Sequence, residues 1–314
     1  MPDLPRRSLA KLGLAATALG AAAPVQSPRL TDFTPIPLPQ QAPATQKVAA
    51  LPNANLAYWD TQAGREAIIL LHPATGSYLV WSYQQPVFAG AGFRTIAYSR
   101  RGFAGSDQGT GHGDDTQDLA DLADHLGLRR FHLVSTAAGA FTGLDFAVKH
   151  QDRLLTLTLA CSITGSDGAG TGAARDRISP KDANSLPASY RELSPSYRAA
   201  NAEGMALWES LQRRSRSAPA PAPGPAPGAR PAATGGPPGQ AGITADKLRG
   251  LSLPTLLIAG GADLIAPPPL MRALATLLPS SSIAEIPDTG HSAYWEQPVI
   301  FNRLVLDFLR RNTA

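Results

Sequence analysis

Ala67-Ile68-Ile69-Leu70-Leu71 is apolar at all five positions. A strand with one wet face alternates apolar and polar residues, whereas an unbroken apolar run belongs to a strand covered on both faces, the habit of parallel sheets. Further short strands are expected at Lys47–Ala50, Asn55–Asp60, Arg94–Tyr98, Phe131–Ser135, Leu154–Ala160, Pro254–Gly260 and Ser282–Ile286. Between them the spacing turns helical. In Asp114–Leu126, Leu119, Leu122, Ala123 and Leu126 fall at i, i+3, i+4 and i+7. Acidic residues occupy its first turn, where they complement the helix dipole, and Gly127 stops it. Helices are also expected near Tyr78–Phe88, after Ser135 (Phe141, Leu144 and Val148 on one face), at Pro268–Leu278 and at Pro298–Arg311. Such alternation predicts an α/β fold with a mostly parallel sheet and helices on both faces.

The rhythm breaks between Gly165 and Arg249. One helix is expected there, Ser196–Arg213. From Ala218 to Gly242, 22 of 25 residues are Ala, Pro or Gly, a composition that cannot bury a core and is expected to be disordered. Residues 165–249 therefore read as a short cap inserted between two core parts, 47–164 and 250–314. At the other end, Arg6-Arg7 precedes a modestly apolar run, Leu12–Ala23, and a small-residue site at Gly20-Ala21-Ala22. This order matches a twin-arginine-type signal over residues 1–23, which implies an exported protein, periplasmic or extracellular. The run is too short to span a bilayer. Six prolines in residues 24–46 mark a linker outside the fold.

Hydrophobic residues make up 43% of the 314-residue chain, enough for a large core. The net charge is +4, and half of that excess lies in the first 23 residues. With no basic run carrying interleaved aromatics, nothing points to a nucleic-acid partner. The single cysteine, Cys161, lies in an apolar strand and reads as a buried, inert thiol. The six histidines show no metal-ligand spacing, His112 in its Gly-His-Gly loop included, so no metal and no cofactor are expected.

Phe131–Phe141 passes from an apolar strand through Ser135-Thr136-Ala137-Ala138-Gly139 into a helix. This has the form of a nucleophile elbow, small-x-nucleophile-x-small, with Ser135 and Gly139 as the small residues. The nucleophile position is then Ala137, which has nothing to attack with. Using Ser135 or Thr136 instead would place Leu133 or Val134 where a small residue is required. Three further motifs accompany the elbow: His72-Pro73-Ala74-Thr75, Arg101-Gly102-Phe103-Ala104-Gly105-Ser106-Asp107, and Asp263 followed by His291, each of the last pair just past a late strand. Together and in this order they resemble the α/β-hydrolase superfamily over residues 47–165 and 246–312, with the feel of esterases, enol-lactonases, haloperoxidase-like proteins and epoxide hydrolases.

The resemblance implies an eight-stranded, mostly parallel sheet and assigns roles by position. His291 would be the base and Asp263 the acid that orients it, with Asp167 and Ser162 marking a fallback acid region. The backbone amides of Ala74 and Ala138 would form the oxyanion hole. Pro73 replaces the family's usual glycine, but the donating amide, that of Ala74, is intact. Tyr190, Tyr197, Trp208 and Trp81 are candidates to line a pocket under the cap or to pack. The expected function is an enzyme acting on a small, partly apolar ester, lactone or related substrate by general-base rather than covalent chemistry. The alternatives are a non-catalytic ligand-binding homologue and a serine hydrolase inactivated by Ser to Ala at 137.

Overall fold

The computed structural model describes residues 33, 35–110, 113–162, 164, 185–216 and 243–313. The signal segment, His112, Asp167 and the Ala/Pro/Gly-rich stretch lie outside them. Eight strands form one sheet: β1 (Thr45–Ala50), β2 (Asn55–Asp60), β3 (Ala67–Leu71), β4 (Arg94–Tyr98), β5 (Phe131–Thr136), β6 (Leu154–Ala160), β7 (Thr255–Gly260) and β8 (Ser281–Ile286). Their spatial order is β1-β2-β4-β3-β5-β6-β7-β8. The β1–β2 and β2–β4 pairings are antiparallel and all the others parallel. As the unbroken apolar runs require, β3, β5 and β7 are buried at every position.

Two apolar layers sandwich the sheet. On one face, α2 (Asp115–His125), α3 (Gly139–His150) and α8 (Pro268–Ala275) pack through Leu119, Leu122, Leu144, Phe146 and Met271 onto the strand residues Ile69, Leu133 and Leu257. On the other, α1 (Gln85–Gly90) and α10 (Pro298–Arg311) pack through Phe88, Phe301, Val305 and Leu309 onto Ile68, Val134 and Ile258. Asp114 caps α2, its side chain accepting from the Thr116 and Gln117 amides, so the helix starts where the acidic turn predicts.

The structure differs from the sequence expectation in four respects. Tyr78–Phe88 is not one helix: a 3-10 turn, Tyr78–Trp81, precedes α1, which restarts with Pro86 in its first turn. Ser196–Arg213 is two helices, α5 (Pro195–Ala200) and α6 (Ala202–Arg214). Asn201 leaves helical geometry at φ −137° and caps the second by accepting from the Gly204 amide at 2.7 Å. Three short helices carry too few residues for a period: α4 (Ala188–Glu192), α7 (Ala245–Arg249) and α9 (Ala293–Glu296).

The fourth difference is the Pro-rich segment 24–46, expected outside the fold. Its described part is held to the body. Tyr83 donates from its hydroxyl to the Ile36 carbonyl at 2.6 Å, and Gln41 donates to Ser82 O at 2.9 Å. The Gln85 amide exchanges two hydrogen bonds with the Ala42 backbone. Phe33 is buried edge-on against Tyr197 of α5. The bonds run both ways: the carbonyls of Ile36 and Ala42 accept from the body, and the Gln41 side chain and the Ala42 amide donate to it.

Candidate active site

The turn after β5 is held in a strained form. Ala137 has φ +48°, a left-handed conformation unusual for a residue with a Cβ. The Ala137 amide donates to Ala160 O at 2.9 Å, and the Ser162 hydroxyl donates to Ala137 O at 2.8 Å. Gly139 lets α3 start against the end of β3, because a Cβ there would lie 2.6 Å from Leu71 O. Ser135 is buried and its hydroxyl donates to Thr158 O at 2.8 Å. Thr136 is also buried, and neither residue lines the cavity beside the turn. The geometry of an elbow is therefore present with a methyl group at its tip.

That cavity, of about 380 Å³, is lined by Ala74, Thr75, Ala137, Ala138, Phe141, Ser162, Arg191, Glu192, Gln212, Arg216, Ile265 and His291. It brings together five of the positions picked from the sequence: Ala74, Ala137, Ala138, Ser162 and His291. Among the described residues, neither the Ala74 nor the Ala138 amide donates to a protein acceptor. Ala138 stands at the start of α3, where free N–H groups collect. The turn carrying Ala74 is fixed by His72, whose Nδ1 lies 2.7 Å from Pro73 O and whose Nε2 accepts from the Arg100 amide at 3.0 Å. Accepting through Nε2 makes this a neutral ring. Burial, reinforced by Arg100, holds its pKa well below the usual histidine value.

Asp263, in the loop after β7, meets His291, in the loop after β8. His291 Nδ1 lies 2.8 Å from Asp263 Oδ2 and 3.0 Å from Oδ1. The carboxylate is itself held by the Ile265 and Ala266 amides at 2.8 and 2.9 Å. Both side chains are buried, and Nε2 of His291 has no protein partner among the described residues. Burial opposes the imidazolium, but Asp263 by charge and hydrogen bond, and then Glu192 and Glu296, outweigh it and raise the His291 pKa.

Three charged groups at this cavity carried no signal in the sequence: Arg191 and Glu192 on the five-residue α4, and Arg216 just past α6. The Arg191 Nε is buried without a hydrogen-bond partner. Arg216 lies over the Phe103 ring at 5.1 Å and makes no ion pair among the described residues. Of the aromatics weighed as pocket lining, Tyr197, Trp208 and Trp81 are core residues, and Tyr190 is half exposed beneath Arg198. Cys161 is fully buried, and burial pushes its thiol well up, so it is no alternative nucleophile. Among the described residues no group of His, Cys, Asp and Glu could hold a metal ion, and no helix is long and apolar enough to cross a membrane.

This sheet order is that of a known class. A family model described as alpha/beta hydrolase fold matches residues 66–298, and the chain belongs to that family. The chain is 28% identical over 268 residues to a 2-hydroxy-6-oxononadienedioate/2-hydroxy-6-oxononatrienedioate hydrolase of Burkholderia vietnamiensis, covering 81% of this chain and 90% of that one. It resembles the structure of a thermophilic esterase from Thermogutta terrifontis with a TM-score of 0.64 and 25% identity, over 87% of this chain and 100% of that one. The enol-lactonase from Burkholderia xenovorans has the same fold, with a TM-score of 0.62 at 20% identity over 84% of this chain and 100% of that one.

Proposed function

We propose that the chain is a hydrolase of small carbonyl substrates whose His291 activates water directly. The observation that carries this reading is His291, paired with Asp263 at 2.8 Å, in one cavity with two amides that donate to no acceptor among the described residues and with alanine where a nucleophile would stand. Asp263 accepts from Nδ1–H and so fixes the tautomer that leaves Nε2 as the base. Water loses a proton to Nε2 as it attacks the carbonyl. The Ala74 and Ala138 amides receive the charge that develops on the carbonyl oxygen. General-base assistance of this kind is worth roughly 10²–10⁴-fold. Arg191 and Arg216, without carboxylate partners in hydrogen-bond contact among the described residues, favour a substrate bearing a negative group beside its apolar part. The relative from Burkholderia vietnamiensis, named for a dioate substrate, is consistent with that charge.

The test is His291→Ala assayed on short-chain esters and lactones, with and without a carboxylate. Loss of at least 10²-fold in kcat supports the reading, and unchanged activity overturns it. A second reading, a serine hydrolase with its serine replaced, is favoured by the left-handed backbone retained at Ala137. Its test is Ala137→Ser, read by covalent labelling with a fluorophosphonate.

A further inference from the structure

One carboxyl group at this cavity has no part in the mechanism above. Glu192, at the end of α4, is 6% exposed and lines the cavity with His291, Ala74 and Ala138. Its Oε2 accepts from the Thr75 hydroxyl at 2.8 Å and from the Ser292 hydroxyl at 3.2 Å. Thr75 follows the Ala74 amide and Ser292 follows His291, so this carboxyl is tied to both halves of the site. The Glu192 carbonyl also accepts from the Ser292 amide at 3.0 Å. Oε1 takes no hydrogen bond from the protein among the described residues. A carboxyl held by two hydroxyls on one oxygen, on a residue that lines the cavity, keeps its other oxygen free to carry a proton and to present it to a ligand.

We propose that Glu192 is a catalytic general acid, which protonates the departing group while His291 takes the proton of the attacking water. The proposal rests on the general-base reading of His291. Water gives a proton to His291 Nε2 and forms the new C–O bond; the tetrahedral intermediate collapses; the bond to the leaving oxygen or nitrogen breaks as that atom takes the proton from Glu192 Oε1. Imidazolium and carboxylate remain, and transfer of one proton from His291 to Glu192 through water restores the start. Burial raises the Glu192 pKa above the ordinary glutamate value, against the lowering influence of His291, the Thr75 and Ser292 hydroxyls and Arg191. Glu192 as a carboxylate raises the His291 pKa in turn, so the two groups share one proton, and the competent form holds it on Glu192. The charged groups about it are thus His291 and, behind that ring, Asp263, with Arg191 on its own helix, Arg216 past α6 and Glu296 on α9. In a covalent serine mechanism one histidine carries the proton from nucleophile to leaving group; here two groups divide the work.

Leaving groups separate this role from a structural one. p-Nitrophenolate departs without a proton and ethoxide does not. The probes are the p-nitrophenyl and ethyl esters of butyrate and the corresponding monoesters of adipic acid. Glu192→Gln keeps the shape of the side chain and loses the acid. It is expected to slow ethyl-ester hydrolysis by about 10²-fold or more while changing p-nitrophenyl-ester hydrolysis less than about threefold. The alkaline fall of the ethyl-ester profile is expected to vanish in the variant. Wild-type enzyme supplies a measurement independent of any variant: its ethyl to p-nitrophenyl rate ratio falls as pH rises past the alkaline limb. Equal loss on both ester types, or a wild-type ratio independent of pH, overturns the role of Glu192 while leaving that of His291 intact. If His291→Ala retains full activity, or wild type cleaves none of these esters, the general-base reading itself falls and this proposal falls with it.

Discussion

Asp263 and His291 stand 28 residues apart in sequence and 2.8 Å apart in space, and the sign of the His291 shift makes a prediction. As the proposed base, His291 works only when neutral, and its pKa is raised. Activity is therefore expected to fall on acidification through a pH above the ordinary histidine value of about 6.5. Asp263→Asn removes the charge that raises it, so the acid limb moves to lower pH while kcat drops by about 10²–10⁴-fold through loss of the correct tautomer. A pH–rate profile of both proteins checks this, and an unmoved limb in the variant contradicts it. At Ala137 the backbone keeps a conformation costing about 1–2 kcal/mol, and its Cβ lies at the cavity that holds His291. Ala137→Ser is thus expected to gain stoichiometric labelling by a fluorophosphonate, read by intact-protein mass spectrometry. No labelling would mean that the elbow does not hold an Oγ within reach of His291 Nε2.

At the scale of elements, the turn between α4 and α5 is joined to the loop that carries His291 through Glu296 on α9. Its Oε1 accepts from the Gly290 amide at 3.0 Å and its Oε2 from the Ser194 amide at 3.1 Å. A Cβ on Gly290 would lie 2.7 Å from Glu192 O, so the cap backbone packs directly on the residue before His291. Burial raises the Glu296 pKa to about 7, against hydrogen bonds from Ser194 and Gly290 that lower it. A carboxyl raised in the fold binds its proton more tightly there than in the unfolded chain. Its stabilisation is complete below the unfolded value near 4.5 and is lost as pH rises through about 7. Glu296→Gln is expected to flatten the stability profile across that window by a few kcal/mol, of the order of 1.4 per pKa unit. It should also cost about 1–3 kcal/mol throughout, since Gln offers one acceptor where two amides donate. Urea unfolding at intervals from pH 4.5 to 7.5 reads both effects. These cap elements are also where the sequence was least legible. Strands such as β3 and helices such as α10 declare themselves because a buried face repeats over many residues. Helix α4 is only five residues long, shorter than two turns, and Arg191 and Glu192 sit on it with no period to mark them. The pairing of His291 with Asp263 was legible, since both follow strands at the sheet's late edge; Glu192, which lines the cavity with His291, belongs to a segment with no strand to place it.

Over the whole molecule, the sheet order and both apolar layers follow from the alternation of buried strands and one-faced helices, while the path of the leading Pro-rich segment does not. Proline density reads as absence of structure because it removes donors and periodicity, yet a segment without secondary structure can still dock through the carbonyls, amides and side chains it keeps. Residues 35–44 do so at the start of α1, and Phe33 reaches Tyr197 of α5, so this segment ties α1 and α5 together from outside the sheet. The consequence is measurable. Two proteins, one starting at residue 33 and one at Thr45, differ by the Tyr83–Ile36, Gln41–Ser82 and Gln85–Ala42 hydrogen bonds and by the burial of Phe33. Without the segment, the side chains of Tyr83 and Gln85 and the Ser82 carbonyl lose these partners, and the site filled by Phe33 opens to water. The shorter protein is therefore expected to be less stable, with a lower urea midpoint and a nearly unchanged slope. A solvated linker would leave the midpoint where it was.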